Sequence, residues 1–132
     1  MVNGSKAFSS FSVDDTEVAK RFYGETLGLD VSDVEMPGDA PGLLALHVGG
    51  GRDTLIYSKG EDHVPATFTV LNFPVSDIDS AVDGLGARGI RFERYEGSGQ
   101  DEKAIARANG GGPSIAWFED PAGNVLSVLE VD

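Results

Sequence analysis

Ala7-Phe8-Ser9-Ser10-Phe11-Ser12-Val13-Asp14-Asp15, running into Thr16-Glu17-Val18-Ala19-Lys20-Arg21-Phe22-Tyr23, decides the fold because its pattern is written twice. Residues 7–13 alternate, with Ser9, Phe11 and Val13 on one face and Phe8, Ser10 and Ser12 on the other, as a strand requires. Asp14-Asp15 ends it, and a carboxylate there accepts from the free N–H groups of a helix starting at Thr16. Val18, Ala19, Phe22, Tyr23 and Leu27 give that helix an apolar stripe, and Gly28 stands where a left-handed cap belongs. In the second copy, the strand Ala66 to Val75 is followed by Ser76-Asp77, then by Ile78, Ala81, Val82 and Leu85 at helical spacing, then by Gly89. Phe11, Val13 and Asp15 recur as Phe73, Val75 and Asp77, each 62 residues on, whereas Gly28 recurs as Gly89 after 61. A chain of 132 residues with a repeat of about sixty contains two copies of one module.

Short strands follow each helix. In the first half they are one after Leu29, then Leu43 to Val48 and Thr54 to Lys59, the last two joined by Gly49-Gly50-Gly51-Arg52-Asp53. In the second half they are Ile90 to Tyr95, Ser114 to Phe118 and Val125 to Glu130, the last two joined by Asp120-Pro121-Ala122-Gly123-Asn124. Proline presets the second turn position and glycine supplies positive φ, so DPAGN marks a hairpin. Each module reads β-α-β-β-β. The fold class is therefore α+β, one domain over residues 1–132 made of two repeated modules, about 7–59 and 67–130, with eight strands and two main helices.

Composition excludes several functions. The chain has Cys 0, so disulfides, thiolate zinc sites and cysteine nucleophiles are ruled out. Its net charge of −12, with no basic run, argues against nucleic acid and anionic membrane as partners. The start Met-Val-Asn-Gly-Ser-Lys-Ala-Phe lacks the features of a signal peptide, and no apolar run approaches the ~18 residues of a membrane span, so a cytoplasmic protein is expected.

Val13, Asp15, Phe22, Tyr23, Leu27 and Gly28, together with the DPAGN turn at 120–124, resemble the two modules of the vicinal oxygen chelate superfamily. That superfamily includes glyoxalase I, bleomycin-resistance proteins, fosfomycin-modifying enzymes and extradiol dioxygenases. The resemblance covers nearly the whole chain and implies a curved eight-stranded mixed sheet around a cavity, helices outside. It specifies function less, since the fold hosts lyases, transferases, oxygenases and non-catalytic drug binders alike. Enzymes of the superfamily hold a divalent metal with a His or Glu near the start of each module's first strand and a carboxylate or His on its last. By that resemblance the ligand positions fall here on Phe8, Val70, Ser127 and its repeat mate Ile56. The neighbouring Ser9, Leu71, Leu126 and Leu55 are no better donors, so no metal and no cofactor are expected.

The face opposite the helix-packing residues carries Phe8, Ser10 and Ser12, then Phe68, Val70 and Asn72 on the two first strands. On the last strands it carries Thr54, Ile56 and Ser58, then Val125, Ser127 and Leu129. Apolar walls with a few hydroxyls and one amide describe a small-molecule pocket. The expected ligand-binding residues are Phe8, Ser10, Ser12, Ile56, Val70, Asn72, Trp117 and Ser127, with Trp117 or Phe118 as the aromatic wall.

Other candidates have two readings each. His47, in LLALHV, is either a general base or a strand-end histidine, and His63, between Asp62 and Val64, is a titrating group or a solvated loop residue. Asp53, Glu119, Asp120 and Glu130 could pair for proton transfer, although Asp53 and Asp120 suit turn capping. The triple glycines 49–51 and 110–112 lack a phosphate-loop pattern. No Gly-x-Ser-x-Gly elbow surrounds Ser9, Ser10, Ser12 or Ser127, so a serine nucleophile is not expected there. The polar stretch Glu96 to Gly112 is either a lid, with Gln100, Asp101, Glu102, Lys103 and Arg107 contacting ligand, or a surface excursion with a helical turn at Asp101 to Ala108. The function expected is metal-free binding of a small organic molecule by a homodimer, a cationic one if the acidic groups ring the pocket. The alternative is an enzyme of the same superfamily, metal-dependent or of altered chemistry, of lyase or dioxygenase type.

Overall fold

The structure, a computed structural model, describes residues 1–38, 42–108 and 112–131. Gly110 and Gly111 of the second triple glycine lie outside the described residues. The chain divides into two compact units, Met1–Pro65 and Ala66–Asp132.

The first unit runs β1 (Ser10–Val13), α1 (Thr16–Arg21), β2 (Asp30–Val34), β3 (Leu43–His47) and β4 (Thr54–Ser58). Its sheet has the order β1-β4-β3-β2, with β1 parallel to β4 and the other pairs antiparallel. Asp15 caps α1, its Oδ1 accepting from the N–H groups of Glu17 at 2.9 Å and Val18 at 3.3 Å. After Arg21 the helix widens into a π turn over Phe22–Thr26, closed by the Leu27 N–H donating to the Phe22 carbonyl. A π turn absorbs one extra residue, which accounts for the offset of 61 between Gly28 and Gly89 where the strands are offset by 62. Both glycines take positive φ, +75° and +92°, at the ends of their helices. Phe11 and Val13 face the helix, and the Phe11 ring lies 6.1 Å from that of the fully buried Tyr23.

The second unit runs β5 (Thr69–Val75), α2 (Ile78–Ala87), β6 (Ile115–Glu119) and β7 (Val125–Glu130), with the sheet order β5-β7-β6. Again the first strand is parallel to the last, and the last two are antiparallel. Asp77 caps α2 through Ser80 N–H at 3.1 Å, and Glu130 accepts from the Ile78 N–H at 3.0 Å, tying the helix start to β7. The strand expected over Ile90 to Tyr95 shrinks to a single bridge, Phe92 with Phe118, beside a bond from Glu93 N–H to the Trp117 carbonyl. Its polar backbone is satisfied by a side chain instead. Gln100 accepts from Tyr95 N–H at 2.7 Å and donates to the Glu93 carbonyl at 2.8 Å, so the ladder stops. Seven strands thus stand among the described residues where eight were expected, the missing one being reduced to the Phe92–Phe118 bridge.

Candidate functional site

In an antiparallel or parallel pair, residues in register share a face. On β5, β7 and β6 the register aligns Asn72, Ser127 and Trp117 in one row, with Phe73, Val128 and Ala116 on the opposite, helix-facing side. Trp117 rather than Phe118 therefore belongs to the expected binding face, while Phe118 is fully buried against Phe92, ring centroids 5.6 Å apart. Ser127 is also fully buried, and its hydroxyl donates to Asn72 Oδ1 at 2.6 Å. Tyr95 meets Trp117 edge to face at 5.5 Å. Two carboxylates complete the patch. Burial, then Glu93 and Asp120, push the Glu119 carboxyl above its ordinary range, and burial, then Glu93 and Glu119, raise the Tyr95 hydroxyl. Glu119 comes to the patch from β6 itself, two residues beyond Trp117, and was a sequence candidate for proton transfer, whereas Tyr95 and Glu93 lie where the regular strand is lost after Phe92 and no periodicity marks them.

Two expected pocket residues sit elsewhere. Ile56 pairs with Phe11, not with Ser10 or Ser12, and is fully buried with Leu44 on the helix-facing side. The alternation on β4 is thereby shifted by one: Leu55 and Tyr57 share the face of Ser10 and Ser12, and Leu55 is the repeat mate of Ser127. Val70 falls where the register slips between Thr69 and Leu71, so Thr69 takes the position opposite Val125 and Val70 is the extra residue of a bulge. Phe8 precedes β1, is 56% exposed and lies under the Arg52 guanidinium, 5.8 Å from the ring centroid. Ser10 is exposed, and the Ser12 hydroxyl lies 2.8 Å from His63 Nδ1.

The superfamily's divalent metal does not fit these residues. Phe8, Leu55 or Ile56, and Val70 offer no donor, and the one oxygen of the set, Ser127 Oγ, is hydrogen-bonded to Asn72. Among the described residues no group of three His, Cys, Asp or Glu side chains is placed to hold a metal ion.

The stretch 96–108 contains no helical turn. Bridges join Gln100 to Ala106 and Ala106 to Ile115, and Ile105 is fully buried. The side chains of Gln100, Asp101, Lys103 and Arg107 are engaged within the protein. Arg107 forks onto both Asp79 oxygens at 2.7 and 2.9 Å and onto Asp101 at 2.8 Å, while Lys103 reaches Asp79 and Asp83. The loop is clasped to α2. Arg107 first, then Lys103, hold the Asp79 carboxyl well below the usual carboxylate range. A depressed carboxyl contributes fully above its unfolded value, about 3.9, and loses that contribution as pH falls through the folded value. Asp79→Asn should therefore speed tryptic cleavage after Lys103 and Arg107 several-fold at neutral pH, and acidification of the parent should raise hydrogen exchange over 101–107.

The sequence model of the Glyoxalase/Bleomycin resistance protein/Dioxygenase superfamily matches residues 8–128. A glyoxalase family protein from Enterococcus faecalis superposes with TM-score 0.72 at 20% identity, covering 98% of this chain and 100% of that one. TnmS3, an antibiotic binding protein from Streptomyces sp. CB03234, superposes with TM-score 0.66 at 26% identity, covering 98% of both chains. The fosfomycin resistance protein FosX from Listeria monocytogenes gives TM-score 0.69 at 11% identity, covering 98% of this chain and 94% of that one. Comparison with curated proteins gives no match. No described helix is long and apolar enough to cross a membrane.

Proposed function

The chain belongs to the Glyoxalase/Bleomycin resistance protein/Dioxygenase superfamily, and from that premise we propose that it binds a small organic molecule without using the superfamily's metal. The observation that carries this reading is the row Asn72, Ser127 and Trp117 across one sheet face, with Tyr95 against the indole. An aromatic pair supplies flat apolar area at little entropic cost, and the amide, held by a buried hydroxyl, fixes orientation. Glu93 and Glu119 beside the rings, within a chain of net charge −12, favour a ligand carrying positive charge. The antibiotic-binding relative is consistent with this reading.

Trp117 is the sole tryptophan, so its fluorescence reports on this face alone. Titration with bleomycin and with flat polycyclic antibiotics, cationic and neutral, should give saturable quenching for at least one cationic compound, weakened by salt. Unchanged emission with every compound, despite a thermal shift from any of them, would move the binding site away from Trp117. A homodimer remains part of this reading, and light scattering on the eluting protein tests it.

A further inference from the structure

We infer that the first unit carries a reactive centre, a serine hydroxyl activated by a histidine and a carboxylate, competent to take an acyl group from an activated carboxylic ester. Ser32 Oγ lies 2.7 Å from His47 Nε2, and His47 Nδ1 lies 3.0 Å from Asp53 Oδ1. An ionised carboxylate only accepts, so Nδ1–H donates to Asp53, and the neutral ring is left with Nε2 as the acceptor of the Ser32 hydroxyl proton. That is the connectivity a serine nucleophile needs, with the base oriented by a third group.

The fold places the three residues together. His47 is opposite Asp30, so Ser32, two residues along β2, is its diagonal neighbour on the same face, away from Leu44 and Leu46. Asp53 returns to His47 because the turn 48–53 reverses the chain before β4. The side chains of His47 and Asp53 are 38% and 44% exposed, and nothing stands within 4 Å of where side chains would begin on Gly49, Gly50 and Gly51. An ester therefore has room to approach. The sequence pattern hid this site, since no elbow motif surrounds Ser32 and only the β2–β3 register brings it to His47.

The step balances with ester and water alone. Ser32 Oγ bonds to the carbonyl carbon as its proton passes to His47 Nε2. The carbon–oxygen bond to the leaving group breaks with its electron pair going to the departing oxygen, which takes that proton. Water then attacks the acyl carbon, giving a proton to Nε2 and on to the released Ser32 oxygen, so that ester and water become acid and alcohol. Ser32 and His47 are the catalytic residues, and Asp53 is a positioning residue that sets the tautomer.

The test is incubation of the whole protein with p-nitrophenyl acetate, following p-nitrophenolate release and mapping the acetyl group by peptide mass spectrometry. The expected result is acetyl on Ser32 in the parent and none at that position in Ser32→Ala. His47→Gln should slow the labelling about 100-fold, the low end of what a positioned base supplies. Asp53→Asn should also slow it, and ¹⁵N spectra should show the His47 proton moving from Nδ1 to Nε2, a signature that a purely structural tie would not couple to labelling. Acetyl only on lysines, or equal Ser32 labelling in His47→Gln, overturns the inference. Mapping on the parent needs no variant to fold, and neither outcome depends on whether Trp117 binds a ligand.

Discussion

Replacing Val128 by Asp should abolish folding. Val128 is 3% exposed, in register between Phe73 and Ala116 on the helix-facing side of the second sheet. Its register neighbours Phe73 and Ala116 offer a carboxylate neither cation nor donor, and an unpaired buried ion costs several kcal/mol. Domains hold only about 5–15 kcal/mol in reserve. The expected observation is loss of near-ultraviolet dichroism and of a cooperative thermal transition at neutral pH. Its neighbour behaves differently: Ser127→Ala removes one hydrogen bond, worth about 1 kcal/mol, because the exposed Asn72 amide can turn to water. A folded Val128→Asp together with an unfolded Ser127→Ala would show the two faces of β7 exchanged.

The second large effect is expected at the DPAGN turn. Asp120 is 4% exposed, and its carboxylate accepts from the N–H of Ala122 at 3.0 Å, the N–H of Asn124 at 2.9 Å and the Asn124 amide at 3.1 Å. Asn124 is itself buried and accepts from Ala66 N–H, so the turn also anchors the chain entering β5. Asp120→Ala leaves buried donors unpaired at about 1–3 kcal/mol each, and a total of about 3 kcal/mol should lower the melting temperature by roughly 10 °C. A change under about 0.5 kcal/mol, the level of an indifferent surface site, would mean the carboxylate is dispensable. The contrast with Asp79→Asn is one of burial: Asp79 acts on the surface, where solvent screens its partners.

Much of this was legible in the residues. The two Asp caps, the two positive-φ glycines and the hairpin at 120–124 each rest on local chemistry that sequence displays directly, whereas the one-residue mismatch in the repeat shows in the sequence without its cause, the π turn. What failed were statements needing register. Strand alternation gives two faces but not which residue of β4 lies beside Phe11, so Ile56 was assigned to the wrong side. A bulge at Val70 breaks alternation without any glycine or proline to announce it. Gln100 replaces a β-ladder by side-chain bonds to Glu93 and Tyr95, which no periodicity encodes. The Ser32–His47–Asp53 chain depends on three separate segments meeting, and only pairing brings them together.

In the proposed function the face carrying Asn72, Ser127 and Trp117 receives the ligand. This is tested most directly by ¹H–¹⁵N spectra of the protein titrated with whichever antibiotic quenches Trp117. The largest shifts are expected on the Trp117 indole N–H, the Asn72 side-chain amide and the backbone of Tyr95 and Ser127, while Ile78 to Ala87 of α2 stay in place. Shifts confined to α2, with the indole and the Asn72 amide unmoved, would contradict it.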